Sequence, residues 1–264
     1  MSEFLEIKNL KVNFYLDKHV LTAVDGVSLN IQQNETVVLA GESGSGKTIT
    51  ALSITKLLPA NARIEEGSVN FNGSDILQLA DKQLTSLRGK EIAYIFQEPS
   101  SYLNPVFSIG SQITETIMLH QDKNKKQAFD EALELLRLVN INDPQKVMFD
   151  YPHQLSGGMN QRALIAMAIA CEPKLLIADE PTTSLDVTIE AQVLELLLNL
   201  KKQLGFSLLF ITHNLSIAKK IANRVYIMYK GKIVEEGLKE EIFYKQTHFH
   251  TKELIQAYEK IGRL

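Results

Sequence analysis

A single cysteine, Cys171, stands in the whole sequence, which excludes an internal disulfide and any cysteine-rich metal site. It falls in an apolar stretch of helical spacing and reads as a small buried hydrophobe. Long hydrophobic runs are also missing. The longest, Leu164–Cys171, is far short of the roughly 18 residues a membrane span needs. The opening Met1-Ser2-Glu3-Phe4-Leu5-Glu6 lacks the basic and apolar regions of a signal peptide. There is no excess of positive charge either: the formal net charge is −3, unlike the electrostatic footprint of a nucleic-acid binder. These absences predict a soluble, cytosolic chain with no nucleic-acid partner. What is present is an ordinary globular composition, 45% hydrophobic and 22% charged over 264 residues. That length can bury the core of one large α/β domain or of two lobes.

Hydrophobic periodicity gives a coarse map. Leu5–Phe14, Val27–Ile31 and Thr36–Ala40 read as strands, and Lys47–Leu58 as a helix stopped by Pro59. Ser68–Phe71 and Ile92–Phe96 are further short strands. Between about Ser100 and Arg162 the character changes: Lys123–Val139 places Phe129, Leu133, Leu136 and Val139 at helical spacing. This segment reads as a helical lobe inserted into a sheet domain. The core then resumes with strand Leu175–Ala178, helix Val187–Leu204, strand Ser207–Thr212 and helix Leu215–Ile221. A hairpin-like pair, Val225–Tyr229 and Lys232–Val234, closes around Lys230-Gly231. Strands alternating with helices predict a mostly parallel sheet covered on both faces.

Gly41-Glu42-Ser43-Gly44-Ser45-Gly46-Lys47-Thr48 fits GxxxxGK[ST] after a strand and before a helix, the context that a phosphate-binding loop requires. Its glycines let the backbone curl so that successive N–H groups point at phosphate oxygens. The helix from Lys47 adds its positive dipole end. Lys47 would sit against the β- and γ-phosphates, and the Thr48 hydroxyl would ligate Mg²⁺. Further on, Leu175-Leu176-Ile177-Ala178 delivers Asp179 and Glu180 at its C-terminal edge, where open α/β sheets place their ligands. Asp179 would hold Mg²⁺, and Glu180 would orient the attacking water and act as general base. The expected ligands are therefore ATP and Mg²⁺.

Among phosphate-loop proteins, GTPases use an NKxD element, and Asn124-Lys125-Lys126-Gln127 fails at its last position. The deciding stretch is Leu155-Ser156-Gly157-Gly158-Met159-Asn160-Gln161-Arg162. It resembles the LSGGQ signature of the ABC ATPase family, departing from it at Met159 and Asn160 and retaining Gln161. Physically it is a second anion cradle, the Ser156 hydroxyl and the amides of Gly157 and Gly158 opening helix Met159–Ala170. Two such cradles so far apart in one chain suggest that one serves a partner's nucleotide. The resemblance implies the same: two subunits head-to-tail around two ATP molecules. Other family elements follow in order. Gln97 in Phe96-Gln97-Glu98-Pro99 resembles the glutamine that reaches Mg²⁺ and marks the contact with the transmembrane subunit. Ser184-Leu185-Asp186 resembles the D-loop, and His213 the switch histidine that contacts the γ-phosphate. Phe14 is the expected aromatic to stack on adenine, with Tyr15 the alternative.

The resemblance covers about residues 3–260 and implies a phosphate-loop α/β core, with an N-terminal antiparallel β element and an inserted helical subdomain. The expected core lobe takes residues 3–98 and 166–250, the helical subdomain residues 99–165, and a short tail residues 245–264. Glu180, His213 and Lys47 are the expected catalytic residues. The expected nucleotide contacts are Phe14, Gly41 to Thr48, Gln97, Ser156, Gly157, Gly158, Gln161 and Asp186; the expected metal contacts are Thr48, Gln97 and Asp179. Long coiled coils and paired cassettes, marks of family members that act in DNA repair or on ribosomes, are missing here.

Ile95-Phe96-Gln97-Glu98-Pro99, Leu103-Asn104-Pro105, Tyr151-Pro152-His153-Gln154, Ala178-Asp179-Glu180-Pro181-Thr182-Thr183 and Ala222-Asn223-Arg224-Val225 resemble the importer branch for dipeptides, oligopeptides and nickel. That implies an ATP-hydrolysing subunit energising import of peptides or related small solutes. Its partners would be two transmembrane permeases, a second ATPase subunit, identical or paralogous, and indirectly an extracytoplasmic solute-binding protein. The place implied is the cytoplasmic face of the cell membrane. The sequence ends without the cysteine-rich extension of many peptide members, which leaves a nickel, metallophore or microcin-type cargo as an alternative; an exporter subunit is a separate alternative. His248 and His250 have no third ligand nearby and read as solvated tail residues.

Overall fold

A computed structural model describes residues 4–183 and 185–261. The first strands are β1 (Leu5–Leu16), β2 (His19–Ile31) and β3 (Thr36–Gly41), followed by helix α1 (Lys47–Ile54). Next come β4 (Ala62–Phe71), β5 (Ser74–Asp75), α2 (Asp81–Leu87), β6 (Ile92–Ile95), α3 (Pro99–Tyr102), α4 (Ile109–His120), α5 (Lys125–Leu138) and α6 (Pro144–Val147). After them run α7 (Gly157–Ile169), β7 (Leu175–Asp179), α8 (Val187–Leu204), β8 (Ser207–Thr212) and α9 (Leu215–Ile221). The last elements are β9 (Arg224–Tyr229), β10 (Lys232–Leu238), α10 (Lys239–Tyr244) and α11 (Phe249–Ile261).

The chain divides into two compact units, one holding the residues up to Leu84 and from Ser207 onward, the other Thr85–Phe206. In the first unit β2, β1, β4 and β5 form an antiparallel sheet in that order. Strands β10, β9, β3 and β8 lie side by side, with β3 parallel to both β8 and β9, and β10 antiparallel to β9. All six residues of β3 and all six of β8 are buried, as parallel strands covered on both faces must be. In the second unit β6 and β7 pair in parallel, and α7 packs against α4, α5 and β6. The class is α/β, with an antiparallel N-terminal sheet and a mostly parallel one, as expected.

Several boundaries differ for physical reasons. The helix expected to reach Leu58 stops at Ile54: Lys56 takes φ 56° and the Leu57 N–H turns back to Leu52 O at 2.9 Å. Strand β2 begins at His19 and β4 at Ala62, both earlier than their apolar pattern predicts. Each is fixed by pairing with β1, Leu16 opposite His19 and Phe14 opposite Ala62. Cys171 is buried as expected but lies two residues past the end of α7. Within the tail, Phe249–Ile261 is helix α11, and His250 is not solvated: it is 7% exposed, its ring 3.8 Å from that of Tyr229.

Candidate nucleotide-binding site

In the first unit, β3 runs straight into the loop Gly41–Gly46 and then α1. The loop is locked from both sides. Ser45 N–H donates to Glu42 O at 3.2 Å, and Gly231 N–H donates to Ser45 O at 2.9 Å. Lys47 is 5% exposed and its Nζ donates to Gly41 O at 2.9 Å and Glu42 O at 2.8 Å. The ammonium thereby spans the mouth of the loop it follows. Gly46 takes φ 106°, and a Cβ there would stand 2.5 Å from Ala23 O, so only glycine lets the loop approach β2. No side chain caps α1, leaving its first turn to present amides and a positive dipole end. Ser45 is 4% exposed and its Oγ has no hydrogen-bond partner among the described residues. A buried orphan hydroxyl beside a ring of amides fits a phosphate oxygen. Glu42, Ser43, Gly44 and Thr48 are exposed.

Strand β8 neighbours β3 in parallel, with Thr212 opposite Ala40, so His213 leaves the sheet at the same end as the loop. His213 is exposed, and its turn is held by Asn214, whose N–H donates to Thr212 Oγ1 at 2.9 Å and whose Oδ1 caps α9. On β1, Phe14 is half-buried. Tyr15 is 42% exposed; its hydroxyl donates to Glu65 Oε1 at 2.7 Å, and the Arg63 guanidinium lies 5.1 Å from the ring centre.

The second unit repeats the arrangement. Ile95 on β6 stands opposite Ala178 on β7, so Gln97 and the pair Asp179 and Glu180 emerge at one end of parallel strands. Gln97 is exposed, while Phe96 beside it is stacked between Tyr94 at 5.4 Å and Tyr102 at 4.0 Å. Burial, then the negative charges of Asp179 and Glu98, push the Tyr102 phenol upward. Asp179 is 7% exposed. Glu180 adopts φ 45°, a left-handed conformation that costs a non-glycine residue about 1–2 kcal/mol. Its Oε2 accepts from Thr183 Oγ1 at 3.0 Å. Thr183 did not stand out in the sequence; the one available signal was a hydroxyl three residues beyond the acid in a tight turn.

Ser156 is the N-cap of α7, its Oγ accepting from Met159 N–H at 3.3 Å, and both Ser156 and Gly157 are exposed. A Cβ on Gly158 would stand 2.9 Å from Ile189 Cγ2, so α7 and α8 meet at their first turns. Asp186 caps α8, accepting from Ile189 N–H at 2.9 Å. Ser184 lies outside the described residues. Gln161 is 1% exposed in the body of α7, with Nε2 unpartnered among the described residues, and does not share the exposed face of Ser156 and Gly157. The residues thus gather in two sets. Gly41–Thr48 and His213 form one; Gln97, Asp179 and Glu180, with Ser156–Gly158 and Asp186, belong to the other unit.

Three kinds of comparison bear on this geometry. The ABC transporter family pattern matches residues 24–183. A probable peptide ABC transporter ATP-binding protein of Sinorhizobium fredii is 45% identical, across 96% of this chain and 76% of that one. A dipeptide transport ATP-binding protein of Haemophilus influenzae is 47% identical, across 96% and 77%. An oligopeptide transport ATP-binding protein of Bacillus subtilis is 46% identical, across 97% and 79%. Among solved structures, a dimeric ATP-binding cassette in a post-hydrolysis state with ADP and Pi superposes with TM-score 0.79 at 26% identity, covering 89% of this chain and 98% of that one. The chain belongs to the ABC transporter family, as one of its ATP-binding, ATP-hydrolysing proteins.

Proposed function

We propose that this ATPase energises import of peptides or related small solutes. It would work at the cytoplasmic face of a membrane, bound to two transmembrane permeases and to a second ATPase subunit, and fed by an extracytoplasmic solute-binding protein. The observation that carries the reading is identity of 45–47% along nearly the whole chain to proteins named for peptide, dipeptide and oligopeptide transport. Those names favour peptides over metal chelates, and a relative named for glutathione import favours import over export. Among the described residues no helix is long and apolar enough to cross a membrane.

The roles follow from the chemistry. The amides of Gly41–Gly46, the Ser45 hydroxyl and Lys47 hold the phosphates. Thr48, Asp179 and Gln97 offer the hard oxygen donors that suit Mg²⁺, which when bound supplies charge neutralisation at the β- and γ-phosphates. Glu180 takes the proton of the attacking water as the γ-phosphoryl group leaves ADP, and His213 contacts that phosphoryl. Phe14 stacks on adenine, since one face of the Tyr15 ring already carries Arg63. Ser156–Gly158 and Asp186 face the nucleotide of the second ATPase subunit. Glu180→Gln is expected to bind ATP and hydrolyse it at least about a hundredfold more slowly; near-normal turnover would remove Glu180 from the role. Gentle detergent purification from the native membrane, with mass spectrometry of co-purifying chains, tests the transport reading. Two polytopic permeases are expected; recovery with ribosomes or nucleic acid, or free of membrane proteins, would sink it.

A further inference from the structure

Thr183 grips Glu180 twice. Its Oγ1 donates to Glu180 Oε2 at 3.0 Å, and its N–H donates to Glu180 O at 3.1 Å. The first contact fixes the carboxylate, and the second closes the turn in which Glu180 holds φ 45°. The turn is tied down in turn: Thr182, 5% exposed, donates its hydroxyl to Glu190 Oε2 on α8 at 3.1 Å. A glutamate side chain has three rotatable bonds, and each hydrogen bond to its carboxylate narrows the orientations it samples before a water is aligned. We propose that Thr183 is a positioning residue for ATP hydrolysis, its hydroxyl orienting the Glu180 carboxylate toward the attacking water.

The proposal rests on reading Glu180 as the general base, and the test separates the two. The full chain is assayed for steady-state ATP hydrolysis as Thr183→Val, which keeps the shape without the donor, and Thr183→Ser, which keeps the donor. Thr183→Ala serves as a second donor-free variant should the valine fail to fold. The donor-free variant should lose about tenfold or more in kcat, the worth of one hydrogen bond to a charged group. KM for ATP should stay within about twofold, and Thr183→Ser should retain kcat within about threefold. In a Glu180→Ala background, loss of the donor should change the residual rate less than about twofold, because nothing remains to be oriented. A tenfold loss that persists in that background, or a donor-free variant with normal kcat while Glu180→Ala is inactive, would overturn the proposal and leave the base intact. Near-normal turnover by Glu180→Ala would overturn the base assignment itself.

Discussion

Alanine at Gly46 and alanine at Gly44 differ in one physical respect, which makes them a matched pair. Both glycines have positive φ, 106° and 76°. A Cβ at Gly44 meets nothing within 4 Å, whereas one at Gly46 meets Ala23 O at 2.5 Å and Met228 Cε at 2.7 Å. The methionine methyl can rotate aside; the carbonyl belongs to β2, whose pairing with β1 holds it in place. Clearing that oxygen requires the loop to recede by about half an ångström, and dense packing resists such a shift. In nucleotide-free urea unfolding, Gly44→Ala is therefore expected to lose about 1–2 kcal/mol, the cost of the left-handed backbone alone. Gly46→Ala should lose about 3–4 kcal/mol, backbone and overlap together. The displaced loop should also weaken ATP binding about tenfold or more. At ATP equal to about 100 times the unsubstituted Kd, the parent chain gains about 2.7 kcal/mol, whereas a tenfold weaker variant gains about 1.4 kcal/mol. Equal stability losses in the two variants, or undiminished ATP protection in Gly46→Ala, would refute the claim that contact with β2 shapes the loop.

Other perturbations read different parts of the molecule. Lys47→Ala removes a buried ammonium from the loop mouth and should weaken ATP binding at least about a hundredfold by equilibrium titration; unchanged affinity would count against the phosphate cradle. Arg224 makes a bidentate contact with Glu35, Nε at 3.1 Å and Nη2 at 3.0 Å, and Nη2 also donates to Asn30 O at 2.8 Å. Arg224→Met should cost about 2–4 kcal/mol in denaturant unfolding, because it strands a mostly buried carboxylate; a loss under about 1 kcal/mol would mark the pair as surface-like. Glu235 reports on the tail. Burial alone would raise its carboxyl, but hydrogen bonds from Thr247 N–H, Thr247 Oγ1 and His248 N–H outweigh burial and hold it below the ordinary value of 4.5. A depressed folded value means that the contribution is fully present above 4.5 and is lost as pH falls through the lower folded value. Protection factors of the α11 amides, corrected for intrinsic exchange, should therefore fall below pH 4.5, and Glu235→Gln should flatten that dependence; pH-independent protection would refute the anchor.

What the sequence disclosed and what it withheld divide along the line between local and distant causes. Helix α8 and strand β8 lie where periodicity placed them, because Asp186 caps the helix start and Gly205 in left-handed conformation ends it. The glycine-rich loop between β3 and α1 was equally legible, since its conformation resides in contiguous backbone. The first half of β2 was not: Val20 and Leu21 are 54% and 52% exposed, and only pairing with β1 makes them strand. The charged Arg63, Glu65 and Glu66 hid the start of β4 for the same reason. His250 was misread because its burial depends on Tyr229, a residue of β9. The burial of Gln161 was hidden too: α7 is buried nearly all round beyond its first turn, so proximity to Ser156 in sequence did not give it the same face. Thr183 shows the limit most sharply. Its hydroxyl reaches Glu180 only through a turn in which a non-glycine residue holds positive φ. Residue type and spacing alone do not disclose that conformation.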